Sequence, residues 1–202
     1  MKNEIKEIDL TSKEIENQIK EYNLEFLSIR RNDIEWKYSF PIFVTAFYDL
    51  VKENNQIPTQ SYFFDFYLDK FSENSQISEL NENQLGALKA RIYRAYPSYV
   101  RDIHFSNLVY EKGNFNKVIY NLDLDIKEGV DILVIENDKK YAVNLFTDTR
   151  RSKKARKIKI DRHDDIDKYI QIDLPISFWD CKEIGEFYLY SEKDIDKIRE
   201  VI

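Results

Sequence analysis

The sequence predicts a mixed α/β (α+β) protein in which a helical N-terminal region precedes a mixed sheet flanked by helices. Three observations carry that expectation. Apolar residues in roughly the first hundred positions recur at three- and four-residue spacing, the period of one helix face. The run VDILVI at 130–135 is then almost unbroken in its apolar character and has the length of a buried strand. Residues 141–147 alternate after an Asn137-Asp138 turn, the pattern of a second strand returning beside the first.

The elements follow in order. Thr11 and Ser12 stand ahead of Glu14 in a capping arrangement. Ile15, Ile19, Tyr22, Phe26 and Ile29 continue on helical spacing, so one helix is predicted over 11–31. A second is predicted over 40–54, with Pro41 near its start. A turn at 54–58 leads to Thr59, an N-cap for an aromatic helix ending near Phe71. The polar stretch 72–83 is the predicted boundary between a helical region, 1–78, and an α/β domain, 79–202. Two helices, 84–95 and 97–111, are expected on either side of Pro97, which lacks the amide a helix interior needs. Residues 115–124 alternate weakly before the two strands. A basic helix over 150–162, short strands at 169–174 and 186–190, and a final helix from Ser191 complete the order, with Asp194 closing a second capping box.

Composition excludes several classes. At 202 residues with 43% hydrophobic and 14% aromatic content, the chain can fill a sizeable core and is not a disordered protein. Cys181 is its one cysteine, so an internal disulfide and a cysteine zinc cluster are both excluded. No apolar stretch approaches a membrane span of about 18 residues, and MKNEIKEIDL carries no signal-peptide core. A soluble, cytoplasmic protein with no membrane partner is expected.

Charge is unevenly placed. The segment RRSKKARKIKIDR at 150–162 holds eight Lys/Arg and one acid, so it carries +7 against a net −6 for the chain. The remainder is therefore at −13. A concentrated basic segment on an acidic protein points to a polyanion, and nucleic acid is the expected partner. A solvated helix face beside acidic neighbours would leave the same pattern.

The residues that carry chemistry lie just before it. Asp131 interrupts the apolar run, and a carboxylate in a buried strand is costly unless it is paired, hydrogen-bonded or metal-bound. Gly129, two residues earlier, permits a bend. In the next strand Ala142, Asn144, Phe146 and Asp148 share one face. Asp131 and Asp148 are the predicted carboxylates for one divalent cation, since Mg2+ takes only one or two with water and phosphate oxygens around it.

The stretch GVDILVI, a tight turn, then KKYAVNLFTDTRRS resembles the central hairpin of the PD-(D/E)xK nuclease superfamily, the restriction-endonuclease-like fold. The resemblance spans roughly residues 97–175. It implies an Asp on one strand, matched by Asp131, followed on the next strand by an acid and a lysine two residues apart. Those two positions hold Asn144 and Phe146 here. The resemblance then leaves two readings. In one, acid and cation have moved four residues along the strand, to Asp148 and Arg150, with Lys153 as a further cation. In the other, the domain binds nucleic acid without cutting it. Asp102 is the candidate for the helix acid that the resemblance implies, with Asp123 and Asp125 as alternatives for that role.

The expected function is Mg2+-dependent hydrolysis of DNA, of the kind found in prokaryotic restriction or defence nucleases. Asp131, Asp148 and Asp102 would hold the metal, and Arg150, Arg151 and Lys153 the scissile phosphate. Lys154, Arg156, Lys157, Lys159 and Arg162 would follow the backbone. A silent nucleic-acid-binding module and a protein-interaction domain are the rival readings.

Other residues read differently. His104 lies on an apolar face with Val100 and Leu108, as a core histidine does. Asp123 and Asp125 read as a solvated turn, and His163 with Asp164 and Asp165 as a helix start. The aromatic helix 59–71 has too few cations to read DNA, and its rings are the expected surface for a homodimer.

Overall fold

Pro97 does not end the helix it sits in. The computed structural model describes residues 8–149 and 168–202. In it, short helices α1 (Ser12–Ile19), α2 (Asn32–Trp36), α3 (Phe43–Asn54), α4 (Gln60–Lys70) and α5 (Ser75–Ser78) precede one long helix, α6 (Glu82–Lys112). Strand β1 (Lys117–Ile119), a π turn (Leu124–Glu128), β2 (Ile132–Glu136) and β3 (Lys139–Thr147) follow. The chain then runs through β4 (Ile170–Ile176), β5 (Lys182–Ile184), β6 (Phe187–Leu189) and α7 (Glu192–Arg199). The fold is therefore mixed α and β, as its patterning predicted.

The two helices expected around Pro97 are one. Proline removes the amide that would bond the carbonyl of Tyr93 one turn earlier. That carbonyl instead accepts a hydrogen bond from Gln60 Nε2 at 3.1 Å, so a side chain of α4 replaces the missing donor. Sequence spacing holds no trace of this rescue, because its donor lies 33 residues away in the chain.

The predicted helix over 11–31 stops at Ile19, which is a second correction. Its start is as expected: Thr11 Oγ1 accepts from the Glu14 amide (3.1 Å) and Glu14 Oε2 from the Thr11 amide (2.7 Å). Beyond Ile19, tertiary partners take the backbone groups a helix would have used. Glu186 accepts from the Leu24 amide, Gln60 Oε1 from the Glu25 amide (2.7 Å), and Arg94 donates to the Leu27 and Ile29 carbonyls. Residues 22–31 thus form a non-helical strap, and Phe26 and Ile29, predicted to lie on one helix face, are 71% and 48% exposed.

Helix α6 serves two cores. Its first half packs Leu88, Ile92 and Tyr96 with Ile15, Phe47 and Phe63 of the N-terminal helices, and Phe187 and Leu189 of β6 join that same core. Its second half packs Phe105 and Val109 against the sheet residues Ile132, Val143 and Ile172 and against Ile195 of α7. The rings of α4 are largely spent inside: Phe63, Phe64 and Tyr67 are buried, while Tyr62 is exposed.

The larger sheet has the order β1-β2-β3-β4, antiparallel through the first three strands and parallel between β3 and β4. Asn137 and Asp138 turn the β2–β3 hairpin with φ of 49° and 62°, the left-handed pair of a type I′ turn. β5 and β6 form a separate hairpin turned by Gly185 at φ 54°. A Cβ there would come within 2.6 Å of the Lys20 carbonyl oxygen, at the end of α1. Among the described residues no helix is long and apolar enough to cross a membrane.

Candidate active site

One cleft gathers side chains from the strap, α6, the β2–β3 hairpin and the second hairpin with the turn before it. Its volume is about 580 Å³. Arg94, Pro97, Ser98, Arg101 and Asp102 reach it from α6, where spacings of three, four and five residues keep them toward one side of the helix. Asp131 enters just before β2, and Leu145, Phe146 and Thr147 enter from the end of β3. Glu186 and Tyr188 come from the second hairpin, Phe178 from the turn before it, and Leu24 and Phe26 from the strap.

Asp131 is placed by its neighbours. Gly129, at φ 69°, closes the π turn in a conformation other residues adopt at a cost. Val130 is then fully buried, and Asp131 comes to the mouth of β2, half-buried, with Oδ2 accepting from the Leu145 amide at 2.6 Å. That bond ties the acid to the end of β3. The ladder pairs Ile132 with Val143, so Asp131 precedes β2 where Asn144 continues β3.

Tyr190 is buried, its hydroxyl 2.9 Å from the Leu174 carbonyl oxygen and 3.3 Å from that of Phe146, a residue of the cleft wall. Burial pushes its phenol well up, and the carboxylates of Asp102 and Asp131 push the same way. The phenol of partly buried Tyr120 is also raised, by desolvation first and then by carboxylates that include Asp102, Asp125 and Asp131. Arg101 lines the same cleft and is only 7% exposed. Arg94 has a structural task, an ion pair with Glu35 and the bonds that hold the strap.

The predicted site residues divide. Asp131 and Asp102 line the cleft together. Asp148 is exposed beyond the end of β3, its amide donating to the Ile176 carbonyl (2.9 Å), and it does not line the cleft. Asn144 is buried, with Nδ2 near the Ala142 carbonyl (3.2 Å), Gln171 Oε1 (3.1 Å) and the Ile172 carbonyl (3.4 Å). Its amide is turned into the sheet. Phe146, at the lysine position of the resemblance, faces the cleft. His104 is a core histidine, donating through Nε2 to Glu16 Oε1 at 3.1 Å. Asp123 forms an exposed ion pair with Lys127. Arg150, Arg151, Lys153, Lys154, Arg156, Lys157, Lys159 and Arg162, with His163, Asp164 and Asp165, lie outside the described residues.

Among the described residues no group of three His, Cys, Asp or Glu side chains gathers to hold a metal. Two carboxylates in one cleft still fit Mg2+, whose hard-oxygen shell is commonly completed by water and phosphate. Sequence reasoning missed Phe26, Phe178, Glu186 and Tyr188. An aromatic pair in a turn, Phe178-Trp179, was the one local sign of them.

Compared with family models, curated proteins and solved structures, the chain matches none. Its function is therefore argued from the cleft.

Proposed function

We infer that the cleft binds nucleic acid, DNA in the first instance, and hydrolyses a phosphodiester bond with Mg2+ held by Asp131 and Asp102. The observation that carries this is the shared cleft of those two acids with Arg101, at the open end of the β2–β3 hairpin. When bound, the ion would supply Lewis-acid polarisation of the phosphate and a water of lowered pKa.

The chain's own groups do the rest. The Leu145 amide orients the Asp131 carboxylate. Arg101, a base too strong to act as a proton carrier, offers fixed positive charge to a phosphate whose negative charge is growing. The ring of Phe146 excludes water from the side of the cleft where a lysine would otherwise stand. The +7 segment at 150–162 supplies sequence-independent attraction to a phosphate backbone. The resemblance to restriction and defence nucleases supports the same reading.

A second reading, binding without hydrolysis, is favoured by the buried amide of Asn144 and by Phe146. One assay separates them: plasmid and single-stranded DNA with Mg2+, wild type beside Asp131→Ala, Asp102→Asn and Asp148→Ala. Groups supporting metal ligands are worth about 10- to 100-fold, so loss of either ligand is expected to lower cleavage on the order of 100-fold. Asp148→Ala is expected to stay near wild type. No cutting by wild type, with salt-sensitive binding retained, selects the silent module.

A further inference from the structure

The hydrolysis reading leaves a group of exposed rings unused. Phe26, Phe178 and Tyr188 all line the cleft, at 71%, 47% and 44% exposure. Phe178 and Tyr188 meet edge to face, 5.1 Å between centroids at 65°. Trp179 follows Phe178 in the same turn and is 99% exposed. The rings stand on fixed backbone. The turn is held by Trp179 and Asp180 amides donating to Ser177 (3.3 and 3.1 Å), and the strap carrying Phe26 by Glu186 on the Leu24 amide.

Phe47, Phe63, Tyr67 and Tyr96, by contrast, are packed fully inside. Leaving several rings in water at one rim forgoes burial that this chain achieves elsewhere, and such patches mark contact surfaces. The chemistry around the rim decides what makes the contact. A purely apolar partner would bury Arg101, Asp102 and Asp131 in a dry interface, at high cost. A partner with flat π faces and a charged backbone would not. The cleft wall ends at Thr147, and three positions later the sequence begins its run of eight Lys/Arg. Bases in a duplex hide their faces in the stack, whereas unpaired bases offer them to aromatic side chains.

We propose that the cleft takes single-stranded nucleic acid, with Phe178, Tyr188 and Phe26 as the stacking platform for its bases and Trp179, next to Phe178 in the same turn but outside the cleft lining, extending it. This rests on the nucleic-acid reading above and narrows its substrate to unpaired strands. The rings set where bases lie, while the phosphates pass Arg101 and the acids.

The test is fluorescence anisotropy of labelled probes with the full chain. A mixed-sequence single strand and a hairpin duplex of equal length are compared in EDTA, where hydrolysis cannot consume them, and again in Mg2+. The single strand is expected to bind about tenfold or more tighter. Phe178→Ala and Trp179→Ala are each expected to lose about 5- to 150-fold of single-strand affinity, the range for one stacked base. Trp179 touches so little that its removal leaves the fold intact, and unchanged melting of both variants checks this. Duplex binding as tight as single-strand binding, or a single-strand preference that survives both substitutions, overturns the proposal and leaves the hydrolysis reading standing. Binding of neither probe in either buffer overturns both, and assigns the rings to a protein partner.

Discussion

Glu16 shows how one buried carboxylate joins three parts of the chain. It accepts from His104 of α6 (3.1 Å) and from Lys182 of β5 (2.6 Å), with Lys13 of its own helix at 3.4 Å. The His104 hydrogen bond, outweighing burial and helped by Lys182, lowers its pKa from 4.5 to about 2. A depressed carboxylate stabilises the fold above its unfolded pKa and loses that contribution as pH falls through its folded one. Glu16→Gln is therefore expected to cost about 2 kcal/mol at pH 7, a figure held down by the solvent around half-exposed Lys182. The gap from wild type should close between pH 4.5 and 2, as read by urea unfolding across that range. A gap that stays constant would mean the ionised carboxylate is not its source. The core role of His104 was legible from its spacing to Val100 and Leu108. Its partner was not, because Glu16 lies 88 residues away.

Among elements, α6 depends on a neighbour for its continuity. Gln60→Leu is expected to cost about 1–3 kcal/mol by leaving the Tyr93 carbonyl without a donor and the Glu25 amide without its acceptor. In a Pro97→Ala background the restored amide serves that carbonyl, so the same substitution should cost about 1 kcal/mol less. Thermal melts of the four chains measure this coupling, and strict additivity would refute it. Capping boxes at Thr11 and Ser191 and the turn at Asn137-Asp138 were legible because their partners lie within three residues. The strap was not, since its backbone bonds go to Gln60, Arg94 and Glu186. The resemblance already set Asp131 and Asp102 at one metal; the exposed rings beside them in the cleft left no local periodicity.

At the scale of the whole molecule, the two cores are not two independent bodies. α6 runs through both, and Phe187 and Leu189 of the second hairpin pack among the N-terminal helices. A fragment of residues 79–202 would expose Leu88, Ile92, Tyr96, Phe187 and Leu189 to water, and burial of each such side chain is worth about 1.5–3 kcal/mol. It is expected to be unfolded or aggregated, and a dispersed amide spectrum from that fragment would show otherwise. The polar stretch 72–83 marks a change in sequence character, and α6, which begins at Glu82, packs into both cores. Gly185 carries the same lesson into genetics. It does not line the cleft, but any side chain there must adopt a left-handed backbone and displace the end of α1. The hairpin that would tip carries Glu186 and Tyr188 to the cleft. In a screen of random variants scored by function, this glycine is expected to be as intolerant as an acid in the site. A geneticist would find it before finding the reason.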